Sequence, residues 1–170
     1  LKGTSINFIP DPEIFGDKIH FNPKKVYELA RSKAYLYRGV TIEWECEIEA
    51  SSDVPKKALI NFPNGLKDYL SSKITPDDLI TPEIFSGNVE SEQDGIKLEW
   101  AICWQNNDSS AFIQSYCNTV PTPLGGTHEQ GLKSSLLRGL KAYGEMVGNK
   151  KTANLTIEDI LETASVVLSI

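Results

Sequence analysis

The sequence predicts an α+β domain, a mixed sheet with helices packed mainly on one face. Three observations carry that expectation. Two stretches, "VTIEWECEIEA" and "IKLEWAICW", alternate apolar and polar residues with period two, as half-buried strands do. Two others, near residues 23–36 and 127–147, carry apolar residues at helical spacing. Strands and helices follow one another without the regular βαβα order of a parallel α/β fold. A length of 170 residues suits one domain, so a single domain over 1–170 is expected.

The elements follow in chain order. "KGTSINF" alternates well enough for a strand, and "IPDPEIFG" turns through two prolines. "NPKKVYELARSKAYL" has Asn22 as N-cap and Pro23 at the first helical position, with Val26, Leu29, Ala30, Lys33 and Tyr37 near helical spacing. In the strand after it, Ile42, Trp44, Cys46 and Ile48 face one way and Glu43, Glu45, Glu47 and Glu49 the other. Alternate strand residues lie nearly 7 Å apart, so these carboxylates do not converge on one ion. They form a solvated face, with Lys56 and Lys57 as neighbours across a hairpin. "LINFPNGLKDYLSSKI" is a short strand, a turn at Pro63-Asn64-Gly65 and a short helix, and "TPDDLITPEIFSG" is loop-like. Ile96, Leu98, Trp100, Ile102 and Trp104 share one face of the next strand. "NNDSS" is expected to make a hairpin turn and "AFIQSYCNTV" to return as its partner. A long helix, a short helix in "LTIEDILE" and a final apolar strand in "TASVVLSI" complete the chain.

Composition excludes several functions. No apolar run approaches the ~20 residues that span a bilayer, and no signal peptide is recognisable. Cys46, Cys103 and Cys117 are far apart and lack metal-ligand spacing, which reads as buried free thiols in a reducing compartment. Met146 is the only methionine, and a chain opening on "LKGTSINF" reads as a piece of something longer. The net charge of −6 argues against wholesale nucleic-acid binding. Yet from Gly125 to Lys151 the cations Lys133, Arg138, Lys141, Lys150 and Lys151 outnumber Glu129 and Glu145. That element either contacts phosphate or is a solvated helix surface.

The segment "TPLGGTHEQGLKSSLLRGLKAYGE" concentrates the functional signal. Gly125 and Gly126 permit unusual backbone angles, and Thr127 followed by Gln130 reads as a capping box. Leu132, Leu136, Leu140, Tyr143 and Val147 fall within about 80° on a helical wheel and are expected to pack on the sheet. "GGTHEQG" lacks the P-loop pattern and the dinucleotide fingerprint. Helix amides can still hold a phosphate. His128 has only His20 as a fellow histidine and no legible nucleophile, so a place in the helix cap is expected, with no catalytic and no metal site in the chain.

"CNTVPTPLGGTHEQGLKSSLLRGLKAYGE" strongly resembles the B subunits of bacterial type II topoisomerases around their "GGTH" motif. "FPNGLKDYL" is similar to that family's Gly-Leu-x-x-Tyr-Leu segment, and "NKKTANLTIEDILETASVVLSI" to the stretch leading to its Gln-Thr-Lys loop. "NGLKDYL" and "NTVPTPLGGTH" resemble the topoisomerase IV branch more than the gyrase branch. The resemblance implies a transducer domain with the fold of ribosomal protein S5 domain 2. Residues 1–10 would close a preceding ATP-binding GHKL domain, and the ATP-site, Toprim and Gln-Thr-Lys segments would lie outside the chain.

It further implies a bacterial cytoplasmic, nucleoid-associated enzyme that uses ATP and Mg in the parent protein and none in this fragment. Partners implied are double-stranded DNA, the topoisomerase IV A subunit and a second B subunit, in a heterotetramer of two A and two B subunits. Lys133 matches the family's basic residue lining the DNA cavity, with Arg138, Lys141, Lys150 and Lys151 as further candidates. Gly125, Gly126, Thr127, His128 and Gln130 form the loop and cap. The equivalent gyrase domain, a freestanding S5-like nucleic-acid-binding module and a small enzyme of the same superfold remain alternatives.

Overall fold

"TASVVLSI" has so few polar residues that a strand made from it must be covered on both faces. In the computed structural model, which describes residues 3–16, 20–48, 53–93, 95–106 and 111–170, it takes the centre of the main sheet. The elements are α1 (Pro12–Phe15), α2 (Pro23–Leu36), β1 (Thr41–Glu45), β2 (Lys57–Asn61), α3 (Leu66–Ser71), β3 (Phe85–Ser91) and β4 (Ile96–Trp104). They continue with β5 (Ile113–Cys117), β6 (Val120–Pro121), α4 (Thr127–Met146), α5 (Ile157–Leu161) and β7 (Ala164–Ser169). The five-stranded sheet has the order β3-β4-β7-β5-β6, and β1 and β2 form a separate antiparallel pair. β5 and β7 are parallel and the other pairs antiparallel, so the sheet is mixed as expected.

The central strand decides where the helices go. Val167 packs with Ala101, Cys103 and Tyr116 against Tyr35, Leu66 and Leu70 of α2 and α3. Ala164 and Val166 pack with Ile102 on the opposite face, against Leu132 and Leu136 of α4 and Leu161 of α5. The helices therefore cover both faces, not mainly one, because β4 and β7 present apolar side chains on each side. The wet face expected for β4 is absent at its C-terminal half, where Ala101, Ile102 and Cys103 are all fully buried.

Three further expectations are corrected. "AFIQSYCNTV" is not the hairpin partner of β4; β7 occupies that edge, paired from Glu99↔Ser169 to Trp104↔Ala164. β5 pairs in parallel with the far side of β7, and a parallel pair needs a crossover, which α4 and α5 supply. Most of the expected turn, residues 107–110, lies outside the described residues. The loop-like "TPDDLITPEIFSG" runs into β3, an edge strand whose Gly87 sits against the Trp100 ring. An edge strand with one partner tolerates residues of poor strand propensity. Residues 3–11, expected in part as a strand, adopt no regular structure, since no neighbouring strand pairs with them.

The local readings around α2 hold. The Asn22 side chain accepts from the Lys25 amide, with Pro23 in the first turn. β1 alternates as expected through Cys46, and Lys57 pairs with Glu45 at 2.6 Å across the hairpin. Ile48 is exposed and Glu49 lies outside the described residues. Gly65, at φ +58°, starts α3 beneath Glu99, whose Oε1 accepts from the Leu66 amide at 3.1 Å and from Arg38 at 2.8 Å. Left-handed backbone and the adjacent carboxylate together require glycine there.

Two measurements test this packing. Gly144 of α4 is buried against the 3-10 turn Lys150–Asn154, where an added Cβ would lie 2.4 Å from the Thr152 Cβ. Gly144→Ala should therefore lower urea stability by about 2 kcal/mol through overpacking. Gly139, with nothing within 4 Å, should instead gain up to about 1 kcal/mol as alanine through helix propensity. Of the three thiols expected to be buried, Cys46 is half-buried and Cys117 exposed on β5, while burial pushes the Cys103 thiol up to about 11. An unfolded thiol ionises from about pH 8.5, so folding stability should be complete below that value and fall as pH rises towards 11. Cys103→Val, compared with wild type in urea melts at pH 8 and 10, should remove that loss.

Candidate functional site

The candidate site grows from the end of β5. Asn118 and Thr119 reverse the chain at φ 48° and 65°, a conformation non-glycine residues seldom take. Lys33 of α2 braces the turn, donating from Nζ to the Thr119 carbonyl at 3.1 Å and to its hydroxyl at 2.6 Å. After β6 the loop from Thr122 to Gly126 feeds α4. Gly125 at φ +71° needs glycine for its angle. Gly126 does not, because φ 169° is extended backbone; there an added Cβ would come within 2.7 Å of the His128 ring. One glycine serves the turn and the other makes room.

The capping box expected from Thr127 and Gln130 is not formed. Gly126 is the cap residue, Thr127 is already helical, and no side chain caps the helix. The Gln130 amide simply donates to the Gly126 carbonyl at 3.2 Å. Starting the helix one residue early leaves the Thr127 hydroxyl out of register with the amide it would cap. His128 is likewise no cap: its Nε2 lies 3.2 Å from the Thr122 hydroxyl.

That contact belongs to a network tying the helix to the sheet. Ser115 of β5, 4% exposed, donates to Glu129 Oε1 at 2.5 Å, and its oxygen lies 2.5 Å from the Thr122 hydroxyl. With the Ser115 proton committed to a carboxylate, Thr122 donates to Ser115 and His128 Nε2–H donates to Thr122. Ser115 is not presented to His128 as a nucleophile. Glu129 also meets Lys133 one turn on, at 3.7 Å, and both side chains are mostly buried. Charge-assisted bonds at low exposure are the strong ones. Sequence reasoning missed Ser115, Thr122 and Glu129, since nothing in their spacing reveals that a strand and a helix start meet.

The candidate cations fall into separate places. Lys133 faces the sheet side, beside Ile113, Leu132 and Val166. Arg138 and Lys141 share a shallow groove of about 450 Å³ with Ser134, Leu137, Glu145 and Ile157. Lys150 and Lys151 are exposed on the 3-10 turn. Leu132 and Leu136 pack on the sheet as expected, whereas Tyr143 and Val147 are more than half exposed. Leu140 instead lines an apolar cleft of about 800 Å³ between α4 and β3–β4, with Phe85, Val89, Leu98, Trp100 and Ile170. Among the described residues no three His, Cys, Asp or Glu side chains are grouped to hold a metal, and no helix is long and apolar enough to cross a membrane.

Glu129→Gln keeps the side-chain shape and removes the charge. It should lower stability by about 1.5–3 kcal/mol, the range for hydrogen bonds to charged groups. In a double-mutant cycle with Ser115→Ala the two losses should be strongly non-additive, read by urea denaturation.

Comparison with known proteins places these features in a family. The chain is 98% identical over all 170 residues to the B subunit of DNA topoisomerase 4 from Rickettsia bellii (strain RML369-C), and spans 26% of that protein's length. It is similar in structure to the 43K ATPase domain of Thermus thermophilus gyrase B, with a TM-score of 0.73 and 27% identity, covering 94% of this chain and 42% of that one. The topoisomerase IV ATP-binding domain of Francisella tularensis gives a TM-score of 0.70 at 30% identity, covering 92% of this chain and 40% of that one. The family described as DNA gyrase B matches residues 65–170, more than half of the sequence, and the chain belongs to that family.

Proposed function

We infer that the chain is the transducer domain of a topoisomerase IV B subunit, with the fold of ribosomal protein S5 domain 2. It would couple ATP binding and hydrolysis in a neighbouring GHKL domain to passage of one DNA duplex through another, with decatenation and supercoil relaxation as the outcome. The observation that carries the reading is the 98% identity over the full chain to the B subunit of a DNA topoisomerase 4. The chain covers less than half of the ATPase-domain structures it resembles, which leaves room beside it for a separate nucleotide domain. Residues 1–10 would close that domain. The parent works in the cytoplasm on double-stranded DNA, as a type II topoisomerase with its A subunit and a second B subunit. ATP and Mg belong to the parent, and no step is assigned to them in this chain.

The work of this chain is mechanical and electrostatic. A helix clamped to a central sheet through Ser115, Thr122, His128 and Glu129 moves as one body with it. Arg138 and Lys141, i and i+3 on α4, offer charge to a duplex. Lys133 is the family-matched contact, but its pairing with Glu129 makes part of its charge internal. Backbone contacts of this kind position DNA without reading its sequence. The equivalent domain of the gyrase B subunit is the second reading, favoured by the similarity to the Thermus thermophilus protein.

The test uses the full-length B subunit assembled with its A subunit. Arg138→Glu with Lys141→Glu should abolish most DNA stimulation of ATP hydrolysis while leaving the basal rate intact. Lys133→Gln should give a smaller loss, and the salt dependence of DNA binding should weaken by about 0.9 in log–log slope for each phosphate contact removed. Unchanged stimulation in both variants would return α4 to an ordinary solvated surface. Decatenation without ATP-driven supercoiling would separate the topoisomerase IV reading from the gyrase one.

A further inference from the structure

The face of the sheet opposite α4 carries a second polar system. α2, α3 and β5 enclose a pocket of about 440 Å³ whose floor holds Tyr35, Tyr69, Gln114 and Tyr116. Lys25, Arg31 and Lys73 line its walls, with Glu28 the one carboxylate among its lining residues. Arg31 lies over the Phe62 ring at 5.9 Å and Lys73 over the Tyr69 ring at 5.7 Å. Among the described residues, none of the three cations is within ion-pair distance of a carboxylate. In a chain of net charge −6, with carboxylates in excess, that is a local surplus of positive charge.

The floor is a connected network of three hydroxyls and one amide. The Tyr69 hydroxyl donates to Gln114 Oε1 at 3.0 Å, and Gln114 Nε2 donates to the Tyr116 oxygen. Tyr35 and Tyr116 share a single hydrogen bond, in which either is the donor. The Tyr69 oxygen beside the Tyr35 hydroxyl is a further acceptor, so the three hydroxyl protons are all placed within the network. Burial raises the pKa of the Tyr35 and Tyr116 phenols, so neither proton is lost near neutral pH. Both residues line the pocket.

We propose that this pocket binds a phosphate oxyanion, held by Lys25, Arg31 and Lys73 above the tyrosine floor. The ligand is acceptor-only and negatively charged, which is what three cations without an ion pair among the described residues select. The site lies across the sheet from the α4 cations and does not depend on their role.

Isothermal titration of the 170-residue chain with sodium pyrophosphate at fixed ionic strength tests it. Saturable one-to-one binding is expected, weakened roughly tenfold or more for each cation removed in Arg31→Gln with Lys73→Gln. Lys24→Gln with Lys97→Gln changes the net charge equally at sites elsewhere and should leave binding unaltered. A duplex of about 20 base pairs added as competitor identifies the source of the phosphate. Displacement of pyrophosphate assigns the pocket to a DNA backbone, and its retention to a small free anion. Absence of saturable binding, or equal weakening by the two charge-matched pairs of substitutions, would overturn the proposal.

Discussion

The pairing of β7 between β4 and β5 is the constraint on which the rest of the structure depends. Ala164, Val166, Val167 and Leu168 are each at most 2% exposed, and they point alternately to the two faces. Burying one such aliphatic side chain contributes about 1.5–3 kcal/mol, so exposing either face would cost several times that. A helical layer on each side follows: α2 and α3 over Val167, α4 and α5 over Ala164 and Val166. Parallel pairing with β5 then obliges the chain to cross the sheet before β7, and α4 lies in that crossing.

Because α4 is part of the crossover, its start must be fixed to the strand it leaves. The Ser115–Glu129 bond does this, and His128 reaches back to Thr122 across the glycine turn. The glycine pair is therefore a device for packing, with Gly125 turning the chain and Gly126 clearing the His128 ring. The same carboxylate that anchors the helix engages Lys133, so that cation is also a structural partner. Stability and charge presentation compete at one residue, whereas Arg138 and Lys141 are not drawn into any ion pair among the described residues.

The two faces differ in character for a physical reason. On the α4 side, contact with the sheet is aliphatic, through Leu132, Leu136 and Leu161. On the α2–α3 side, large aromatic rings fill the space, with Tyr35 stacked on Tyr69 at 3.8 Å, and their hydroxyls must find partners inside. That requirement draws Gln114 into a buried polar network and leaves the pocket above it rimmed by cations.

Sequence alone determined what rests on neighbours along the chain. The Asn22–Pro23 start of α2, the alternation of β1, Lys57 as a neighbour of its glutamates across the hairpin and the presence of a long helix at α4 all come from local spacing and are present in the fold. The "GGTH" resemblance, a long and specific string, identified the family. Tertiary structure decided what rests on pairing at a distance. The hairpin expected between β4 and β5 gave way to β7, since only that strand needed cover on both faces. The Thr127 capping box yielded to a helix begun one residue earlier on Gly126, where the cap is set by room for His128. The Ser115–Glu129 anchor and the tyrosine pocket join residues 14 to 81 positions apart, and no periodicity records such meetings. Local spacing specifies elements, but a long-range contact exists only once burial has chosen which strand lies in the middle.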